Sequence, residues 1–172
     1  MMTEHVILVD AHDRELGLME KMEAHQKGLL HRAFSVFVLN DKKELLLQRR
    51  ALDKYHSGGL WTNTCCSHPR KDEDVEAAAH RRLQEEMGFD CTLEKVLDFV
   101  YRADFSDGLT EHEFDHVFVG YFNGNPEINT KEVAEYKWMP LDEVKRDLQE
   151  NPDNYTEWFK IIFDRFYSHV KD

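Results

Sequence analysis

The 172-residue chain is 41% hydrophobic and 12% aromatic, enough for one sizeable core and a single domain over 1–172. Its formal net charge of -12 disfavours non-specific binding to nucleic acid or to an anionic membrane. No apolar run approaches the roughly 18 residues of a membrane span, and three cysteines, two of them adjacent, argue for a reducing cytoplasm rather than a disulfide framework.

In chain order, the acidic N-terminus "MMTEHVILVD" reads as a first strand over 5–10 rather than a secretory leader. The next stretch holds Lys21, His25 and His31 and reads as a loop. Strand patterns follow at 34–40 and 44–51, joined by the hairpin-turn sequence "NDKKE" at 40–44. The stretch "LWTNTCCSH" (60–68) reads as one strand. Alternation puts Thr62, Thr64, Cys66 and His68 on one face, and Trp61, Asn63, Cys65 and Ser67 on the other. If His68 faces a metal, Cys66 faces it too, while Cys65 is a small buried apolar residue.

A helix is predicted over 72–88, with acidic residues in its first turn and Gly88 as its stop signal. On it, Arg81 with Glu85 and Arg82 with Glu86 stand at i, i+4, as in any solvated, salt-bridged helix face. Strands are predicted at 97–105, 111–122 and 135–141, and helices at 141–151 and 155–170. On the second strand Glu111 and Glu113 share a face, with His112 and Phe114 opposite. The last helix carries Trp158, Ile162 and Phe166 on one stripe, with Phe159, Phe163 and Val170 beside it. Mixed strands with few helices suggest one α+β domain. Three imidazoles with two carboxylates would suit a divalent metal, although spacing alone does not select three of the ten histidines.

Residues 67–89 resemble the Nudix box, the helix motif that gathers magnesium on a diphosphate. Glu73, Arg81, Leu83, Glu85, Glu86, Gly88 and Phe89 fit it. Ser67 replaces the leading glycine, and Arg82 replaces a glutamate. That second change removes a metal ligand and adds a cation, which speaks against plain diphosphate hydrolysis.

Almost the whole chain is similar to type I isopentenyl diphosphate isomerases, non-hydrolytic members of the Nudix superfamily. The matching stretches are "TEHVILVD", "MEKMEAH", "HRAFSVFVLN", "LLLQRRALDKYHSGGLWTNTCCSHP", "RRLQEEMG", "FVYRADF", "EHE" and "YTEWF". The resemblance implies a Nudix-like mixed β-sheet core flanked by helices. It implies acid/base roles for Cys66 and Glu113, with Tyr101 beside the glutamate and Trp158 over the allylic carbons. It puts metal ligands at His25, His31, His68, Glu111 and Glu113, for Zn²⁺, Mn²⁺ or Mg²⁺. Glu86 would help hold a second Mg²⁺ with the substrate diphosphate, and Lys21, Arg50, Lys54 and Arg82 would surround that diphosphate. The partner implied is a small molecule, isopentenyl diphosphate, with no nucleic acid and no membrane, and a monomer is expected. A Nudix hydrolase and a diphosphate receptor without turnover are the competing readings.

Overall fold

The structure is a computed structural model that describes residues 4–54, 57–105 and 107–170. Thr3, Tyr55 and His56 of the matching stretches lie outside the described residues. One nine-stranded mixed sheet holds every strand described. In chain order these are β1 (His5–Val9), β2 (Glu15–Glu20), β3 (His31–Leu39), β4 (Glu44–Arg50), β5 (Trp61–Thr62), β6 (Cys65–Ser67), β7 (Leu93–Asp104), β8 (Thr110–Tyr121) and β9 (Val133–Pro140). The helices are α1 (Lys21–Lys27), α2 (Val75–Met87), α3 (Leu141–Glu150) and α4 (Glu157–Val170), with a short 3₁₀ turn before α4.

The sequence of β3, "HRAFSVFVL", is almost uninterruptedly apolar because both of its faces are covered. Period-two alternation divides it between two cores. Phe34, Val36 and Val38 join Ala78, Leu83 and Met87 of α2. Phe37 and Leu39 join Phe159, Phe163 and Phe166 of α4. Strand β3 also sets the register of the site. It runs antiparallel to β1, β4 and β6 and parallel to β8. This puts His31 beside Glu113 and Ser35 beside Cys66. The antiparallel β7–β8 pair puts Tyr101 opposite Glu113.

Two expectations need correction. The loop expected around His25 and His31 is instead strand β2, helix α1 and the first residue of β3. Helix α1 has only seven residues, well below the ~12–15 at which an isolated helix holds itself. Its stability comes from caps and packing: Glu20 accepts from the Glu23 amide at 2.8 Å, and Gly28 closes the helix at φ 65°. The single strand expected over 60–68 is two strands on different partners, β5 on β4 and β6 on β3. Between them side chains replace the backbone ladder. The Thr64 hydroxyl donates to the Leu46 carbonyl at 2.6 Å and accepts from the Val38 amide at 2.9 Å. The Asn63 amide donates to the carbonyls of Val36 and Cys65. Continuous alternation from Thr62 to His68 therefore fails, and survives only within β6.

Helix α2 is shorter than expected because Asp74 caps it, accepting from the amides of Glu76 and Ala77. Its stop at Gly88 stands. Gly88 is left-handed at φ 72°, and a Cβ there would sit 2.2 Å from the Glu127 carbonyl oxygen. Gly88→Ala is expected to destabilise the fold by more than the ~1–2 kcal/mol of the left-handed conformation alone. Urea unfolding should show a lower midpoint with an unchanged slope.

Candidate active site

Three imidazoles form a nest at one end of the sheet. The His25, His31 and His68 rings lie 4.9–5.8 Å apart, centroid to centroid. His25 Nδ1 is 2.7 Å from the Lys21 carbonyl oxygen, and His31 Nδ1 is 2.9 Å from that of Leu29. A carbonyl only accepts, so each Nδ1 carries a proton and each ring turns its Nε2 inward. His31 Nε2 lies 3.1 Å from Glu113 Oε2, and His68 Nε2 lies 2.9 Å from the same oxygen. A lone pair facing a carboxylate oxygen repels it unless a cation lies between them. Either a second ring proton or a metal can be that cation. Burial lowers His25, and it pushes His68 down to about 4, so these rings stay neutral near pH 7. One donor atom each from His25, His31, His68 and Glu113 lie within 4.8 Å of one another. This nitrogen and oxygen donor set fits a divalent metal. Glu111 stands outside that tight group, with Oε1 3.9 Å from His25 Nε2.

The carboxylates form a row along β8. The Tyr101 hydroxyl is 2.6 Å from Glu113 Oε1, to which it donates, and 3.1 Å from Glu111 Oε2. Burial pushes Glu111 well above the usual carboxylate range, and the charge of Glu113 adds to this. Burial acts on Glu113 too, but its contacts with His31 and His68 outweigh it and hold Glu113 well below that range. Between the two, the proton is favoured on Glu111 and the charge on Glu113. Asp115 is the next residue on the same face, fully buried, and accepts from the Ser35 hydroxyl at 2.9 Å. The alternation that pairs Glu111 with Glu113 reaches Asp115 as well, so the sequence carried a signal for it.

A cavity of about 690 Å³ opens over this row. Cys66, Tyr101, Glu111, Glu113 and Trp158 line it. Glu86 and the cations Lys21, Arg50, Lys54 and Arg82 also line it, as does His68. His25 and His31, fully buried, stand behind its wall. The two cysteines separate as the β6 alternation requires. Cys66 packs towards the α4 core, whereas Cys65 is buried in the α2 core with its thiol 3.3 Å from Glu86 Oε2. Burial pushes the Cys66 thiol far up and the nearby carboxylates add to this, with the charge of Arg50 opposing, so Cys66 rests protonated.

Arg82 is anchored. Its Nη2 is 2.8 Å from Glu132 Oε1 and 3.1 Å from Glu86 Oε2, and its Nη1 is 2.8 Å from Glu85. Lys54 approaches the same Glu132 oxygen at 3.7 Å. Gln48 donates to Glu86 Oε1 at 3.2 Å. The sequence reading missed Glu132, Gln48, Arg70 and Lys71, all at or beside the cavity. Glu132 sits in an irregular connection where no periodicity marks it. Gln48 looks like an ordinary strand residue. Arg81 also lines the cavity, but is clamped by Glu73 at 2.7 and 2.9 Å.

The NUDIX domain family matches residues 29–159. Isopentenyl-diphosphate Delta-isomerase 2 of Aromatoleum aromaticum is 53% identical over 167 residues, covering 97% of this chain and 88% of that protein. The corresponding protein of Photorhabdus laumondii is 56% identical over 161 residues, covering 94% of this chain and 91% of its own. The chain belongs to the isopentenyl-diphosphate Delta-isomerase family, within the NUDIX fold. Solved structures agree on the fold. A Deinococcus radiodurans protein superposes with a TM-score of 0.80 at 15% identity, over 95% of this chain and 99% of its own. A MutT protein of Methanosarcina mazei gives 0.67 at 21% identity, over 83% and 96%. No helix described is long and apolar enough to cross a membrane.

Glu111→Gln combined with Glu113→Gln keeps the shape of both side chains and removes both carboxyl groups. The doubly substituted protein is expected to lose its bound divalent metal, read by elemental analysis after dialysis. Metal retained at the unsubstituted level would remove Glu111 and Glu113 from the ligand set.

Proposed function

We propose that this chain interconverts isopentenyl diphosphate and dimethylallyl diphosphate by adding a proton at one carbon and removing one from another. One observation carries the reading. Cys66, Glu113, Tyr101 and Trp158 line the same cavity as the cationic side chains, so an anionic head and a five-carbon tail can be held there together.

Lys21, Arg50, Lys54 and Arg82 are suited to the diphosphate, arginine offering paired donors to oxyanions. His25, His31, His68, Glu111 and Glu113 would hold a Zn²⁺, Mn²⁺ or Mg²⁺ ion, and Glu86 would help hold Mg²⁺ with the diphosphate. When bound, these cations would offset the substrate's charge and fix the Glu113 carboxyl in place. In the forward direction Glu113, steadied by Tyr101, gives a proton to the terminal methylene carbon. The double-bond electrons move to that new C–H bond and leave a tertiary cation at the branched carbon. Cys66, as thiolate, takes a proton from the carbon on the diphosphate side, and the C–H electrons become the new double bond. One proton enters and one leaves, with no change of oxidation state. The resting ionisation, thiol at Cys66 and carboxylate at Glu113, is the one from which the reverse direction starts. The forward direction starts from the state with the same number of protons, in which the Cys66 proton has passed to the carboxylate pair and leaves a thiolate at Cys66 and an acid at Glu113.

The cation must be kept from water, which would convert it to an alcohol. Trp158 is 2% exposed, and an indole face attracts a cation by ~2 kcal/mol or more in a desolvated site. The three free thiols suit the cytoplasm, and a monomer suits a site drawn from one chain.

Two experiments test this reading. Incubation with isopentenyl diphosphate and Mg²⁺ in deuterium oxide is expected to yield deuterated dimethylallyl diphosphate, seen by NMR and mass spectrometry. Phosphate or pyrophosphate release without isomerised product would point to a hydrolase instead. Separately, Cys66→Ala is expected to lower turnover by ~10²–10⁴-fold, the range of a lost acid/base group. Cys65→Ala should keep most of the turnover and cost about 1 kcal/mol of stability through a small cavity. Equal loss of turnover in both variants would overturn the assignment to Cys66.

A further inference from the structure

Cys65 is fully buried in the core beneath α2. Packing accounts for that burial but not for the direction of the thiol. In a cluster that includes Ala78, Leu83 and Met87, the Cys65 thiol turns to a carboxylate and donates to Glu86 Oε2 at 3.3 Å. A thiol is a weak donor, but a charged acceptor strengthens the bond. The thiol keeps its proton for this bond, because burial and the charge of Glu86 both push it well up.

Glu86 belongs to a helix, while the reacting groups around it belong to the sheet. It is 5% exposed and lines the cavity. A carboxylate that holds Mg²⁺ must be aimed, since Mg²⁺ demands near-ideal octahedral geometry and takes only one or two protein carboxylates beside substrate phosphates. Arg82 stands 3.1 Å from Oε2, but it comes from the same helix and cannot tie Glu86 to the sheet. Two other partners do. Cys65 of β6 holds Oε2, and Gln48 of β4 donates to Oε1 at 3.2 Å. Gln48 is itself fixed by donating to the Thr64 carbonyl at 2.8 Å. Both carboxylate oxygens are thus tied to strands, which sets the plane of the group. Each oxygen offers two acceptor positions, so Oε1 can take a metal ion beside its bond from Gln48. The next residue on the three-residue strand β6 is Cys66, and the pairing of β6 with β3 sets both cysteines at once.

We propose that Cys65 is a positioning residue, whose thiol, together with the Gln48 amide, anchors the Glu86 carboxylate to the sheet and aims it at the Mg²⁺ that accompanies the substrate's diphosphate. This rests on the isomerase reading of the cavity and gives the second cysteine a part in it. Strand β6 then fixes the metal-holding carboxylate on one side and the acid/base thiol on the other.

Calorimetry of inorganic pyrophosphate binding at a series of Mg²⁺ concentrations tests the anchor. In Cys65→Ala, half-maximal binding is expected to need about tenfold more Mg²⁺, the low end of what a lost partner of a metal ligand costs. Cys65→Ser, close to alanine in size but with a hydroxyl donor, is expected to recover most of the loss. A role in packing alone would shift both variants alike. Turnover with Mg²⁺ in excess is expected to stay near the unsubstituted level in both. An unchanged Mg²⁺ dependence in Cys65→Ala, or no recovery in Cys65→Ser, would overturn the anchor, and isomerisation in deuterium oxide by the unsubstituted protein would leave the isomerase reading standing. If Cys65→Ala does not fold, Gln48→Met removes the other tie at similar length and is expected to show the same rise, without which the anchor fails. Pyrophosphate that does not bind the unsubstituted protein at any Mg²⁺ concentration would overturn both the anchor and the diphosphate reading.

Discussion

A carboxylate charge buried inside a sheet is the constraint on which this structure turns. Isolated in a low-dielectric interior, Glu113 would take up a proton rather than remain charged. It stays ionised because His31 and His68 converge on one oxygen, where a ring proton or a metal ion can lie between, and Tyr101 donates to the other. Each of those partners comes from a different part of the chain. The β3–β8 register supplies His31, the β7–β8 register supplies Tyr101, and the segment after β6 supplies His68. A one-residue slip in either register would turn one partner to the other face. The long parallel pairing of β3 with β8, a costly connection to form, therefore also holds the site's geometry.

Charges of both signs line the cavity. Glu111 and Glu113 stand beside each other on β8, and Glu86 with Arg82, Lys54 and Glu132 forms an ion-pair network. That network shows what Arg82 does at the box position where a glutamate is expected. It clamps Glu86 and Glu132 together instead of standing as a loose cation. Glu86 thereby keeps its place between Arg82, Gln48 and the Cys65 thiol.

Legibility in the sequence followed the range of the interactions. Local alternation placed Glu111 and Glu113 together, and local capping chemistry marked Gly88. The apolar stripe of α4, with Phe159, Ile162 and Phe163 buried, was equally plain. Family resemblance added the three histidines, which spacing could not select. Helix α1 was illegible because it is too short to show a period, and His25 owes its position to caps and packing. The break at Asn63 and Thr64 was illegible because a β-branched, apolar-flanked run reads as strand. Only the partners on β3 and β4 reveal that the chain changes neighbours there. Glu132 and Gln48 matter through residues more than thirty positions away, and no local pattern encodes such a pairing.

The Asn63–Thr64 crossing bears on the adjacent cysteines in another way. Strand β6 is fixed to β3 with Cys65 opposite Val36 and Cys66 opposite Ser35. The two sulfurs therefore point into opposite layers of the molecule, with the sheet between them. Joining them in a vicinal disulfide would require one side chain to turn through the sheet, breaking that pairing. The fold thus acts as an insulator between neighbouring thiols, keeping Cys66 from the oxidation partner that sequence places beside it.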